Sequence, residues 1–339
     1  MKAAVVTQIG KLEVLEVPMP EIGPYDALCK MCYCATCAGT DIHLMDGKHP
    51  YPVSYPTVLG QEAVGRVVAI GSRVKHFKVG DLISRVGYPQ NDRVGLYSNW
   101  GGFAQYGIAK DHWQMRADGR PFSEWNHSRV NQIIHPAIDE KTAPMIITWR
   151  ETLSYLKRLG IGKATRLLLI GSGANALSFA AHACNCGADV TIVGSLSRKS
   201  SFEQLPISDY TDYKNNDLVE SIGRVEKLYD VILDAVGSSE TVNKMLPLLK
   251  RNGTIGVYGW NDRQRYGINP FTAQRSFNVY NDGYDEEETN EQVQAMVLSG
   301  VLKADLWYNM DHPVSLSDIA DVYEHLRRHE AFKYLISLN

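Results

Sequence analysis

No apolar run in this chain reaches the ~18 residues needed to span a bilayer as a helix. No stretch concentrates charge of one sign, and 35 basic residues against 38 acidic ones leave a net charge of −3. Without a basic face, neither nucleic acid nor an anionic membrane is an expected partner. The opening residues, MKAAVVTQIGKLEVLEVP, alternate like a strand and lack the charged-then-apolar layout of a secretion signal. Six cysteines in 339 residues, without such a signal, lead us to expect free thiols and a cytoplasmic location. Internal repeats and low-complexity segments are missing too. What remains is a globular composition, 44% hydrophobic and 22% charged, at a length that suits two domains.

The cysteines are unevenly spread. CKMCYCATCAGTD, residues 29–41, places four of them in the pattern C-x2-C-x-C-x2-C, which resembles a metal cradle. Ala27–Thr36, however, reads as a strand, with Cys29 on one face and Cys32 and Cys34 on the other. Cys29 and Cys37 would then lie roughly 26 Å apart along an extended chain. Four thiolates on one zinc at ~2.3 Å must approach each other within about 4 Å. The expectation is a strand lined with small buried thiols, and no four-cysteine metal site.

Residues 1–146 are rich in short strand-like runs (KAAVV, KLEVLEV, AVGRVVAI, FAQYGIA) separated by Gly, Pro and Asp turns. Residues 147–284 read differently. A helix is expected over Thr148–Leu159, then a buried strand at Leu167–Ile170, a glycine turn, an apolar helix closed by Gly187, and a buried strand at Val190–Val193. YDVILDAVG, a helix around Thr241–Leu249 and GTIGVYG continue the alternation. Continuous apolar strands alternating with helices predict a parallel sheet covered on both faces. Residues 285–339 begin helical and polar and end in the strand-like KYLISL. The class is therefore α/β, a β-rich domain joined to a doubly wound parallel sheet.

Gly171-Ser-Gly173-Ala174-Asn175-Ala176 lies between a predicted strand and a predicted helix. Gly171 permits the tight turn, Gly173 allows the backbone to approach a pyrophosphate at the helix amino terminus, and Ala176 takes the third small position. Ala235, Val236 and Gly237, closing a later strand, are expected to complete the nucleotide site. A site for NAD places an acid about 20 residues after the glycines, to bind the ribose 2′-hydroxyl. Here stand Gly194 and Ser195, followed by Arg198 and Lys199. With no acid to repel it, a 2′-phosphate is accepted by Ser195 and neutralised by the two cations, which predicts NADP(H).

These residues, with KAAVV at the start, AGTDIH at 38–43, VLGQEAVGRVVAIGSRVKHFKVGD at 58–81 and GGFAQYGIA at 101–109, resemble the medium-chain dehydrogenase/reductase superfamily, and within it the zinc-type alcohol and polyol dehydrogenases. The resemblance runs over nearly the whole chain. It implies a GroES-like catalytic domain, an inserted Rossmann domain and a carboxy-terminal segment returning to the first. It also implies hydride transfer between carbonyl and nicotinamide on a small-molecule substrate, in a homodimer or homotetramer.

The family's metal ligands carry over poorly. Where the family has Gly-His-Glu, this chain has Gly60-Gln61-Glu62, and an amide is a weak zinc ligand. The third ligand falls near Ile147. At the first, either Cys37 or Ala38 takes the position, because Cys37-Ala-Gly-Thr-Asp41 is one residue longer than the family's motif. The family's structural zinc needs four cysteines after KVGD, and residues 82–100 contain none. We therefore expect chemistry without zinc.

In this family a Ser or Thr and a His three residues on relay the alcohol proton, and Thr40 and His43 match that spacing. Gln61 is a candidate donor to the carbonyl oxygen, and Cys37 and Glu62 complete the candidate set. Tyr51, Tyr55, Tyr97 and Trp100 fall on loops expected to shape the cleft. The resulting expectation is an NADP(H)-dependent oxidoreductase that interconverts a secondary alcohol and a ketone on a polyol, cyclitol or sugar-like molecule. A zinc-independent C=C reductase and an inactive NADP-binding protein are the alternatives.

Overall fold

The alternating runs become strands. The first 110 residues form β1 (Lys2–Gln8), β2 (Lys11–Glu16), β3 (Asp26–Ala35), β4 (Thr57–Val58), β5 (Glu62–Ile70), β6 (Leu82–Ser84), β7 (Tyr97–Ser98) and β8 (Tyr106–Lys110) in this computed structural model, which describes residues 1–215, 217–222, 228–273 and 275–339. The middle of the chain adds β9 (Arg166–Ile170), β10 (Asp189–Gly194), β11 (Asp209–Asp212), β12 (Tyr229–Asp234), β13 (Leu249–Val257) and β14 (Phe277–Tyr280). β15 (Val314–Ser315) and β16 (Leu335–Ser337) follow.

The chain divides into two compact units, one made of Met1–Arg150 and Glu286–Asn339, the other of Glu151–Asp285. The first division falls inside helix Ala143–Arg158, which begins five residues before the expected start. Pro144 reads as a helix breaker, but in the first turn its missing N–H has no partner to lose.

The first unit holds two sheets, ordered β2-β1-β4-β7 and β15-β16-β3-β5-β6, with β8 also pairing β3. β3 is central, because β5 runs along one edge while β8 and then β16 cover the other. The expected face assignment of its cysteines needs correction. The register slips between Leu28 and Cys29 and again between Met31 and Tyr33. A slip of this kind inverts the alternation of side chains. Cys29, Met31 and Cys34 consequently share one core with Phe77, Phe103 and Tyr323, and Cys32 is buried too. All six cysteines are free thiols. Cys184 and Cys186 are half-buried at the end of their helix.

The returning segment is tied down by charge. Glu286 pairs with Arg85 through Oε1 and with Arg150 through Oε2 at 2.6 Å. Thr289 Oγ1 donates to the Arg150 carbonyl at 2.9 Å. The apolar stripe of helix Ile319–Arg327 then inserts Val322, Tyr323 and Leu326 into the core of the first unit.

The second unit is a six-stranded parallel sheet ordered β11-β10-β9-β12-β13-β14. Numbered within the unit this is 3-2-1-4-5-6, the doubly wound order whose direction of growth reverses between its first and fourth strands, here β9 and β12. Ligands of such sheets bind beyond the carboxyl ends of the strands at that reversal, where Gly171 follows β9 and Ala235 follows β12. No helix among the described residues is long and apolar enough to cross a membrane.

Candidate active site

AGTDIHLM coils into a short helix, Ala38–Met45, directly after β3. Asp41 fixes its start, since Oδ2 accepts the Cys37 N–H at 2.9 Å and the Tyr323 hydroxyl at 2.6 Å. Asp41 thus ties the chain entering the helix to a tyrosine of the returning segment. Burial pushes the Asp41 carboxyl up to about 6, against the two hydrogen bonds it accepts. Its Oδ1 is buried and has no hydrogen-bond partner.

Cys37 is the residue just before the helix, and its thiol, rather than Ala38, faces the candidate chemistry. Its Sγ lies 3.6 Å from Thr40 Oγ1. Burial pushes this thiol up to about 11 despite the opposing charge of Lys333, so it is neutral and a donor at neutral pH. Gln61 approaches the same oxygen from the segment leading into β5, its Nε2 donating to Thr40 Oγ1 at 3.2 Å. A hydroxyl has one proton and two acceptor lone pairs. With both lone pairs receiving hydrogen bonds, the single Thr40 proton is left to be donated outward. His43 lies one turn further along, at the i+3 spacing that puts it on the same helix face as Thr40. It is half-buried, and its ring makes no hydrogen bond to the described protein atoms.

Glu62 takes a different part from the one expected of it. Lys333 Nζ donates to Glu62 Oε1 at 2.6 Å, to Oε2 at 2.7 Å and to the Thr36 carbonyl at 3.1 Å. Three ammonium protons meet three acceptors, in a pair that is almost completely buried. Burial works against this ammonium, but the carboxylate outweighs it and holds Lys333 above its usual range. Burial also pushes Glu62 up, opposed by the ammonium. Both carboxylate oxygens bridge to one ammonium, an arrangement that favours the ionised pair. Lys333 was not anticipated. Its only mark in the sequence is a charge inside the apolar run FKYLISL, and its partner lies 271 positions away.

A tetrahedral zinc does not fit this donor set. Gln61 offers an amide already turned to Thr40, and Glu62 is held by Lys333. Ile147, at the third position, is fully buried within helix Ala143–Arg158. Among the described residues no three His, Cys, Asp or Glu side chains are grouped to hold a metal.

Arg85 borders the cluster, with Nη1 donating to the Gln61 carbonyl at 3.0 Å. Its guanidinium lies 4.4 Å from the centre of the Trp100 ring. Tyr97, expected on a loop, is part of β7, paired with Thr57. Tyr55 bonds the Leu44 carbonyl at 2.5 Å and so packs locally against the Thr40 helix. Tyr51 is exposed.

In the second unit the glycine turn is assembled as its spacing demands. Gly171 has φ +127, and a Cβ there would meet Val236 Cγ2 at 3.1 Å and Ala235 Cβ at 3.4 Å. The turn of Ala235, Val236 and Gly237 thus packs against the first glycine. Asp234 organises that turn, with Oδ1 accepting the N–H groups of Val236 and Gly237 and Oδ2 those of Ser238 and the Tyr266 hydroxyl. Gly173 precedes helix Ala174–Asn185 and no side chain caps that end. A Cβ on Gly173 would meet nothing within 4 Å, which leaves room for a phosphate at the positive end of the helix. Asn175 reaches Tyr258 at 3.4 Å, and Ala176 is buried.

At the end of β10, a Cβ on Gly194 would clash with Tyr210 Oη at 2.5 Å and Ser172 Cβ at 2.7 Å, so no acid can stand there. The Ser195 backbone is fixed on both sides, its N–H donating to Ser172 Oγ at 3.0 Å and its carbonyl accepting the Tyr210 hydroxyl at 2.6 Å. Its own hydroxyl meets that of Ser197 at 3.0 Å. Arg198 ends the following helical turn, and Lys199 pairs with Glu203 at 3.6 Å. Ser172, Tyr210 and Asp234 escaped the sequence reading because their roles depend on contacts between separate strands.

Known proteins share this architecture. The alcohol dehydrogenase GroES-like domain family matches residues 23–118. Sorbitol dehydrogenase of Halalkalibacterium halodurans is 25% identical, covering 99% of each chain. L-galactonate-5-dehydrogenase of Escherichia coli is 25% identical over 91% of this chain and 89% of its own. Among solved structures, a dehydrogenase from Sinorhizobium meliloti, described as zinc-binding and bound to NADP, superposes with a TM-score of 0.81 at 24% identity, covering 99% of this chain and 98% of that one. Benzyl alcohol dehydrogenase of Acinetobacter calcoaceticus has a TM-score of 0.80 at 19% identity, over 100% and 99%.

Proposed function

For a chain that belongs to the medium-chain dehydrogenase/reductase superfamily, in its alcohol dehydrogenase branch, we propose a reaction that interconverts a secondary alcohol and a ketone on a polyol, cyclitol or sugar-like molecule, using NADP(H) and no catalytic zinc. The observation that carries this reading is the Thr40 hydroxyl, which receives hydrogen bonds from Gln61 and Cys37 and keeps one proton to give. The sorbitol and L-galactonate dehydrogenase relatives support the polyol class.

NADP(H), when bound, supplies or accepts the hydride, and the protein's part is to orient the reactants and stabilise charge. Gly171, Gly173, Ala174, Asn175 and Ala176 would hold its pyrophosphate, and Gly194, Ser195, Arg198 and Lys199 its 2′-phosphate. Ala235, Val236 and Gly237 close the site beside Gly171. In reduction, Thr40 donates its proton toward the carbonyl oxygen, as negative charge develops there. The two hydrogen bonds it receives favour that donation by polarising the hydroxyl. His43, on the same helix face, returns the proton to Thr40 through intervening hydroxyls. Glu62 and Lys333 act as a neutralised pair that fixes the strand ends around this cluster.

The test combines metal analysis with mutagenesis. We expect full ketone reduction after exhaustive chelation, and for Thr40→Val a loss of kcat of roughly 10²–10⁴-fold with NADPH affinity unchanged. One tightly held zinc per chain whose removal abolishes activity would refute the metal-free mechanism. Unchanged activity of Thr40→Val would refute the proton path.

A further inference from the structure

We propose that Trp100 is the substrate-contacting plate of this site and that it selects cyclic polyols, whose apolar C–H face stacks on the indole. This rests on the alcohol-oxidation reading above and names the substrate class within it.

The argument begins with the backbone. Five non-glycine residues among those described have φ in the left-handed region, and two of the five are Arg85 at +59 and Trp100 at +68. A bulky residue adopts that conformation only at a cost and only when its surroundings impose it, and such outliers gather at ligand sites. The same two residues stack on each other, with the Arg85 guanidinium 4.4 Å from the indole centre. Glu286 and the Gln61 carbonyl hold that guanidinium from behind.

The surroundings impose the conformation tightly. A Cβ on Gly87 would meet the Trp100 carbonyl oxygen at 1.6 Å, and one on Gly101 would meet the Tyr88 carbonyl oxygen at 2.3 Å. Neighbouring N–H groups are committed, Asn99 to Val58 at 2.9 Å, Gly102 to Gly60 at 2.7 Å and Phe103 to Leu59 at 2.9 Å. This rigid frame nevertheless leaves Trp100 45% exposed, while Gly101, Gly102 and Phe103 are buried. One face of the indole is covered by Arg85 and the remainder is displayed. Phe122 and Phe271 are more exposed, but neither has a left-handed backbone nor covers a buried cation.

Position connects the plate to the chemistry. Trp100 touches Arg85, Arg85 holds Gln61, and Gln61 holds Thr40. An aromatic face attracts the weakly positive C–H groups of an alicyclic ring. In a site read as taking polyols, such a plate selects those whose carbons close into a ring that has an apolar C–H face.

The experiment compares wild type, Trp100→Phe and Trp100→Ala with NADP against three groups of alcohols. These are cyclic polyols (myo-inositol, scyllo-inositol, methyl glucoside), benzyl alcohol and 2-butanol. We expect Trp100→Ala to raise KM for at least one cyclic polyol by roughly tenfold or more with kcat within about twofold, since uniform binding is lost, and Trp100→Phe to restore most of it. KM for 2-butanol and the Kd for NADPH should not change. An equal or larger effect on benzyl alcohol, or no effect on any cyclic polyol, would overturn the plate. If wild type oxidises no alcohol, the reaction itself is misread. The plate is then judged by the fluorescence change on adding the cyclic polyols to the NADPH complex: a response in wild type that disappears in Trp100→Ala sustains it, and silence in wild type refutes it.

Discussion

The two units build their sites from different materials. In the second unit, backbone does most of the work. The glycine turn and the helix end lie within the consecutive residues Gly171–Ala176, and the turn of Ala235, Val236 and Gly237 packs against the first of them. In the first unit, side chains do it. Cys37, Thr40, Asp41, Gln61, Glu62, Arg85, Tyr323 and Lys333 come from separate stretches, with bonded partners as far as 282 positions apart, and side-chain hydrogen bonds hold most of them. A backbone site tolerates change everywhere except at its small residues. A side-chain site should fail wherever one partner is removed.

That contrast is easiest to break at the buried pair. Lys333→Met leaves Glu62 buried without its counter-charge and should cost about 3–5 kcal/mol in urea unfolding. Adding Glu62→Leu should recover most of the loss, because the uncompensated charge is then gone. If the single variant is as stable as wild type, the pair does not secure the returning strand.

Asp41 offers the next largest effect. Its carboxyl is raised from 3.8 to about 6, so the folded state binds more protons than the unfolded chain between those values. Its stability contribution therefore falls as pH rises through that window. Relative to Asp41→Asn, wild type should lose on the order of 3 kcal/mol between pH 4 and pH 7. A flat difference curve from paired melts would contradict the buried environment described for this side chain.

The glycines sharpen the other half of the comparison. Gly173 has φ −85 and open space around its missing side chain, so Gly173→Ala should leave the melting temperature unchanged. It should still weaken NADPH binding by roughly 10- to 100-fold, because the methyl group takes the room needed by the pyrophosphate. Equal affinity by fluorescence titration would move the phosphates elsewhere. The smallest expected effect is at the end of β10. Arg198→Ala should raise the Kd for NADPH about tenfold and leave NADH nearly unaffected. An equal loss for both cofactors would remove the 2′-phosphate from this loop.

How much was legible follows the same line. The parallel sheet, the glycine turn and the absence of an acid at Gly194 could be read directly, because strand burial and turn chemistry are local. The face assignment in β3 failed because two slips in register leave no trace in the sequence. The helix expected over Thr148–Leu159 begins at Ala143, because a proline in the first turn forfeits no hydrogen bond. The candidates Thr40, His43 and Gln61 came from motif spacing, whereas nothing in that spacing revealed what holds them.

By itself, then, the sequence determined the class of the fold, the position of the glycine turn and the presence of an amide at Gln61. Tertiary structure alone decided that Glu62 belongs to Lys333, that Asp41 belongs to Tyr323, and that Cys37 and Gln61 share the Thr40 hydroxyl. The reason is physical. Backbone conformation follows from neighbours in the chain, but a buried charge or hydroxyl must be satisfied by whatever folding brings within about 3 Å, and that partner has no fixed address in the sequence.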